Sequence, residues 1–261
     1  MKNTIKDKTA LVTGASGGIG AAIARELGSR GMNLVLVARR EDLLRKVAEA
    51  ISRDYGIRAE ILVKDLQKEK APDEIHAQLK RSGTNIDVLV NNAGFGVYGR
   101  FIDIPFERER DMLYLDIVAL VHLTKLFVRD MATRGFGYIM QIASIGAFQP
   151  SPLYASYSAA KAFVLSFGEA IHHELRGSGV VVTVVSPGVT ESEFLKVAGQ
   201  EPNRYQRMAM MPAEKVASIA VKAMLKKKSS VVTGKMNAIS AWSNRLISRK
   251  MSAKIAGGLM E

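Results

Sequence analysis

The sequence predicts a doubly wound α/β protein: one parallel sheet with helices on both faces. Three observations carry this. Short apolar runs alternate with longer runs of helical periodicity along most of the 261 residues. The short runs are apolar almost throughout, as strands covered on both faces must be. The first of them ends in a glycine-rich turn that leads directly into a helical pattern, the opening of a βαβ unit.

The elements follow in order. Thr9–Thr13 reads as the first strand, with a helix near 18–30 after the glycines. Asn33–Ala38 and Ala59–Val63 follow, separated by a helix near 41–54 that opens with Glu41 and Asp42, acids that suit a helix N-terminus. A helix near 73–81 leads to a strand at Ile86–Val90, and a long helical pattern at 107–131 leads to Tyr138–Ile142. Helices near 154–177 and 213–227 flank a sixth strand at Val180–Val185. No linker, internal repeat or low-complexity tract interrupts the chain, so residues 1–261 are expected to form one domain.

Two segments depart from the alternation. Residues 189–211 carry Phe194, Leu195, Tyr205, Met208, Met210 and Met211, and a long connection at the C-terminal edge of a parallel sheet reads as a mobile lid. The tail at 236–261 sets Trp242, Leu246, Ile247, Met251 and Ile255 among Arg245, Arg249, Lys250 and Lys254, a basic amphipathic helix by its spacing. That pattern fits docking within the protein, docking on a partner subunit, or contact with an anionic membrane surface.

Composition narrows the classes. The chain has no cysteine, which excludes disulfides, thiolate catalysis and a cysteine zinc site. His76, His122, His172 and His173 have no clustered partners, so no metal site is expected. The net charge is +12, yet the basic residues are scattered and not interleaved with aromatics, which argues against nucleic acid. Met1–Lys8 is polar and too short for a signal core, and no apolar run approaches the roughly 20 residues of a bilayer span. A soluble cytoplasmic protein is expected.

Chemistry enters through three fragments. Thr13-Gly-Ala-Ser-Gly-Gly-Ile-Gly20 closes a strand and opens a helix. There Gly14, Gly18 and Gly20 allow a tight turn, close backbone approach to a pyrophosphate, and tight helix–strand packing. At the end of the second strand stand Arg39 and Arg40, where an acid would bind the ribose of NAD. An arginine there pairs with a 2′-phosphate, so the expected cofactor is NADP(H), with Arg39 ranked ahead of Arg40. Ser144 precedes Tyr157 and Lys161, which lie four residues apart on one helix face. A tyrosine titrating near 10 is a poor base at neutral pH, and an adjacent ammonium favours its phenolate. Tyr157 as general acid/base, with Ser144 hydrogen-bonding a developing alkoxide, fits interconversion of a carbonyl and an alcohol.

With Asn91-Asn-Ala-Gly94 between them, these fragments make the chain resemble the short-chain dehydrogenase/reductase family from about Lys8 to about Phe194. The resemblance implies a Rossmann fold and a seventh strand at Ser230–Thr233. It adds Ser16 and Ile19 to the turn, an adenine contact at Asp65-Leu66, a ribose-lining segment with Asn91, Ala93 and Gly94, and a carboxamide-holding segment with Pro187, Gly188, Thr190 and Ser192. It also implies a bond from Lys161 to the nicotinamide ribose, and a homodimer or homotetramer formed through 107–131 and 154–177.

The chain departs from the family at Asp116, where the family places an asparagine that completes a catalytic tetrad. Its carboxylate is expected to pair with Lys161 and alter the pH profile. Phe95, Val97, Tyr98, Phe148 and Leu153, with the methionine-bearing lid, suggest an apolar, adaptable substrate pocket. Lys196, Arg204 and Arg207 suit an acidic carrier of an acyl substrate. Steroids, acyl chains and aromatic ketones stay open, as do an NADP(H) sensor without turnover and a lipid-surface protein.

Overall fold

The structure, a computed structural model, describes residues 5–259. Residues 1–4, residues 260–261 of the tail and the side chain of Tyr205 lie outside the described residues.

Seven parallel strands form one sheet: β1 (Thr9–Thr13), β2 (Asn33–Ala38), β3 (Ala59–Val63), β4 (Val88–Asn91), β5 (Gly137–Ile142), β6 (Val180–Ser186) and β7 (Ser230–Val232). Their spatial order is β3-β2-β1-β4-β5-β6-β7. The order reverses between β1 and β4, and at such a switch point the loops diverge and leave a crevice beyond the strand ends. The alternation of side chains along each strand divides the core. On one face Ala10, Val12, Leu34 and Leu36 pack on α1 (Gly18–Gly28), α2 (Glu41–Tyr55) and α9 (Ala213–Leu225). On the other, Leu11, Val35, Leu89, Ile139 and Val182 pack on α3 (Ala71–Arg81) and α5 (Leu120–Arg134). Val164 of α6 (Ala155–Glu174) meets Val184 of β6 and Leu120 of α5. Both faces are covered, which is why the strands are apolar throughout.

The 107–131 pattern is not one regular helix. It divides into α4 (Phe106–Leu113), a π-helical stretch Tyr114–Ala119, and α5. Apolar residues continue on both sides of Asp116 through the wide turn, so periodicity does not mark it. Such turns gather at functional sites, and this one carries Asp116.

Residues 189–211, the segment expected to be a lid, hold α7 (Phe194–Ala198) and α8 (Arg204–Ala209), tied across the base by a bridge between Thr190 and Met211. The tail forms two short helices, α10 (Lys235–Ser243) and α11 (Arg249–Gly258), where the spacing predicted one. Polar groups make the break: Asn244 bonds back to Ser240 and across to Gln149, and the Ser248 side chain caps α11. Among the described residues no helix is long and apolar enough to cross a membrane.

Candidate active site

A cleft of about 310 Å³ opens at the switch point, lined by the glycine turn, the β4 and β5 loops, α6 and the lid. Gly14 has φ +65°, and a Cβ there would come within 2.7 Å of Asn92 Nδ2. That amide donates to the carbonyls of Thr13 and Gly14, while Thr13 Oγ1 donates to Val90 O and accepts from the Asn92 and Ala93 amides. The β1 turn and β4 loop are thereby laced into one wall.

Gly18 and Ile19 line the cleft at the start of α1, which has no side-chain cap and no acid in its first turn. The first amides of that helix are left for an anion. Together with the glycine cradle, this fits a dinucleotide pyrophosphate. Gly20 stands behind the lining, packed against Gly14 O, in the helix-packing role expected of it.

Of the two arginines, Arg40 lines the cleft and Arg39, expected to be the better placed, stands outside the lining. Arg40 Nη2 lies 3.5 Å from Ser16 Oγ, and its Nη1 pairs with Glu193 at 2.6 Å. Arg39 turns to Gln67 (2.8 Å) and Asp65 (4.0 Å). Consecutive residues leave a strand end on opposite sides, and sequence alone does not say which one faces the ligand. Asp65 and Leu66 also lie outside the lining: Asp65 accepts from Gln67 N, and Leu66 packs in the core.

Asn91 likewise stands behind the cleft. Its amide donates to Thr124 Oγ1 (2.9 Å) and Gln141 Oε1 (3.0 Å), a buried polar knot joining β4, β5 and α5. Ala93, Gly94, Pro187, Gly188, Thr190 and Ser192 do line the cleft.

Ser144, Tyr157 and Lys161 meet at the cleft's inner end. Ser144 Oγ, just past β5, accepts from Gly146 N and stands close enough to the Tyr157 hydroxyl to favour its ionised form. Lys161 Nζ donates to Ile142 O at 3.2 Å and lies 5.6 Å from the centre of the Tyr157 ring. Asp116, with no exposed surface, stands 2.8 Å from Lys161 Nζ, and its Oδ1 accepts from Phe95 N at 3.1 Å. A Cβ on Gly94 would come within 2.7 Å of that same oxygen, so the loop fits only around a bare backbone.

Burial raises the Asp116 carboxyl above its ordinary range, and Lys161 and the Phe95 amide oppose the rise. The Tyr157 hydroxyl is pushed well above its ordinary value, first by burial and then by the Asp116 charge, with Ser144 acting the other way. The pull expected from Lys161 is thus offset by its own counter-ion.

Further lining residues have no local sequence signal. Gln149, Ser151, Tyr154, Gln200 and Gln206 all face the cleft. Tyr154 packs on Tyr98 and Tyr157, and its hydroxyl donates to Gln200 Oε1 at 2.8 Å, a bond across 46 positions that holds the lid. Phe194 of the lid packs on Tyr157. Of the expected pocket residues Phe95 lines the cleft; Val97 is buried, and Tyr98, Phe148 and Leu153 stand outside the lining. Met208 of the lid points to solvent. Among the described residues no group of histidine or carboxylate side chains is arranged to hold a metal.

Comparison with known proteins identifies relatives of this chain. The short chain dehydrogenase family model matches residues 8–203. A very-long-chain 3-oxoacyl-CoA reductase of Anas platyrhynchos is 36% identical over 211 residues, covering 77% of this chain and 67% of that protein. The 17-beta-hydroxysteroid dehydrogenase type 3 of Rattus norvegicus is 36% identical over 181 residues, 68% of this chain and 58% of that protein. The chain therefore spans only about three fifths to two thirds of these relatives' length. A 3-oxoacyl-(acyl-carrier-protein) reductase FabG of Haemophilus influenzae is 34% identical over 197 residues, 76% of this chain and 80% of that protein.

Among solved structures, a short-chain dehydrogenase from Sphingobium yanoikuyae in complex with NADPH superposes with TM-score 0.81 at 28% identity, over 92% of this chain and 94% of that one. A structure from work on 7beta-hydroxysteroid dehydrogenase stereoselectivity reaches TM-score 0.87 over 97% of both chains; at 24% identity it speaks for the fold alone. Matched over well more than half its length, the chain belongs to the short chain dehydrogenase family.

Proposed function

We propose that the protein is an NADPH-dependent reductase that converts the carbonyl of an apolar or acyl substrate to an alcohol, the reverse oxidation running when cofactor ratios allow. The observation that carries this reading is the convergence of Ser144, Tyr157 and Lys161 at the inner end of a cleft whose outer wall is the glycine turn.

The turn amides and Lys161 would hold the dinucleotide, with Arg40 and Ser16 around its 2′-phosphate. When bound, the reduced nicotinamide supplies a hydride to the carbonyl carbon. Tyr157 gives its proton to the carbonyl oxygen as negative charge develops there, and Ser144 donates a hydrogen bond to that oxygen. A Tyr157 hydroxyl held above its ordinary range stays protonated at neutral pH, which suits an acid more than a base. Phe95, Phe194, Leu195 and Val197 give the substrate end an apolar wall. The Gln200 Nε2 and Ser151 Oγ atoms are buried without a hydrogen-bond partner among the described residues, and they suit a second oxygen on the substrate, as an acyl thioester carries. The names of the acyl and steroid relatives support the same class.

The exposed Phe101, Ile102, Phe106, Val118 and Phe163 lie on or beside α4–α6 and support self-association through those helices. The Lys161–Asp116 pair favours one second reading, cofactor binding without turnover.

The test is consumption of NADPH and NADH by the purified protein across ketones and one 3-oxoacyl thioester, with Tyr157→Phe alongside. Turnover with NADPH that Tyr157→Phe abolishes is the expected result. Tight NADPH binding with no turnover on any substrate would select the second reading.

A further inference from the structure

The tail packs inside out. α10 buries Ala241, and α11 buries Ser252 and Ala256, while its Gly257 lies against Pro152. The large apolar residues face solvent: Met236, Ile239 and Trp242 on α10, Leu246 and Ile247 in the connection, Met251 and Ile255 along one stripe of α11, and Leu259 just past its end. Trp242 is 57% exposed and Leu246 69% exposed. A helix pair serving only its own core would present the opposite face.

The charge pattern on this face is one-sided. Residues 235–259 contain Lys235, Arg245, Arg249, Lys250 and Lys254 and no acidic residue. The face also adjoins the cleft. Asn244 donates to Gln149, which lines the cleft, and Asn203, the cap of α8, donates to Leu259 O at the end of α11. Exposed Met208, with Arg204 and Arg207, continues it onto the lid.

We infer that α10, α11 and the exposed side of α8 form a docking face for an anionic lipid bilayer, which sets the mouth of the cleft at the membrane surface. Apolar side chains ringed by cations match the interface between acyl chains and acidic headgroups. A second copy packed symmetrically on this face would bring two wholly cationic segments together, and like charges at close quarters disfavour it. The inference concerns a surface and stands apart from the reductase reading; its test measures no turnover.

Trp242 is the only tryptophan, so its emission reports this face alone. The full-length protein is mixed with vesicles of pure phosphatidylcholine and with vesicles of phosphatidylcholine carrying about a third phosphatidylglycerol, at low and high salt. The expected result is co-sedimentation with the anionic vesicles, a blue shift of Trp242, and loss of both at high salt. Arg249→Gln with Lys250→Gln should weaken partition about tenfold or more, at roughly fivefold per cation removed near an anionic surface. Ile255→Ser with Leu246→Ser, exposed changes that leave the fold intact, should weaken it comparably. The inference is overturned by absence of binding at low salt, or by binding with Trp242 emission unchanged. A blue shift that grows with protein concentration in the absence of lipid would also overturn it, by showing a second copy on the face.

Discussion

Replacing Asp116 by asparagine removes one charge and almost no volume, and the structure says where the effect must appear. The carboxylate sits 2.8 Å from Lys161 Nζ with no exposed surface, and it is the charge that raises Tyr157 after burial itself. In Asp116→Asn the Lys161 ammonium acts on Tyr157 without its counter-ion. A unit charge acting over about 7 Å at an effective dielectric near 20 is worth roughly 2 kcal/mol, or about 1.5 pH units. The sign is fixed by protonation. Reduction needs the protonated Tyr157 and declines as pH rises through its apparent pKa, whereas oxidation needs the phenolate and rises through the same value. Removing the carboxylate lowers that value, so both limbs move to lower pH, and oxidation at neutral pH gains about tenfold or more on the same estimate. The assay is kcat/KM in both directions from pH 6 to pH 11, with the wild-type protein alongside. Limbs that stay within about 0.3 pH unit of wild type would show that Asp116 does not set the Tyr157 equilibrium. Limbs that move to higher pH would refute the electrostatic argument outright.

Other expectations follow from the same site. Arg40→Gln should weaken NADPH about ten- to a hundredfold, the range of one or two charge-assisted hydrogen bonds, and leave NADH unchanged. Arg39→Gln should shift NADPH affinity by less than about threefold, and equilibrium titration of cofactor fluorescence separates the two variants. Gly94→Ala drives a methyl group against the Asp116 carboxylate and should cost about 1–3 kcal/mol, read as a fall in the urea midpoint. Gln200→Leu strands the buried Tyr154 hydroxyl and should cost about 1–3 kcal/mol, whereas adding Tyr154→Phe should recover most of the loss in a double-mutant cycle.

The strands and the glycine turn are legible because each depends on local pattern: apolar runs covered on both faces, and glycines where no Cβ fits. Tyr157 and Lys161 are legible for the same reason, being one helical turn apart. What escapes the sequence is direction and distance. Whether Arg39 or Arg40 enters the cleft depends on how the chain leaves β2, and Asn91 looks like Asn92 until one turns inward to Thr124 and Gln141. The Tyr154–Gln200 bond joins residues with no local relation. The tail's spacing announces an apolar stripe, yet spacing is silent on which side of the helix meets the protein. In this fold the small residues won that contact, because α11 crosses close to Pro152, where little space remains.

The wide turn at Tyr114–Ala119 acts as a phase shifter between two messages written on one rod. Beyond it, Leu123, Thr124 and Phe127 keep step with the sheet; within it, Asp116 keeps step with Lys161. A single-residue deletion at solvent-facing Val118 would close the wide turn into an ordinary helical one, moving Asp116 off its face while the stripe of α5 stays in place. The chemical setting of Tyr157 can therefore drift by one insertion or deletion while the sheet beneath it stays as it was.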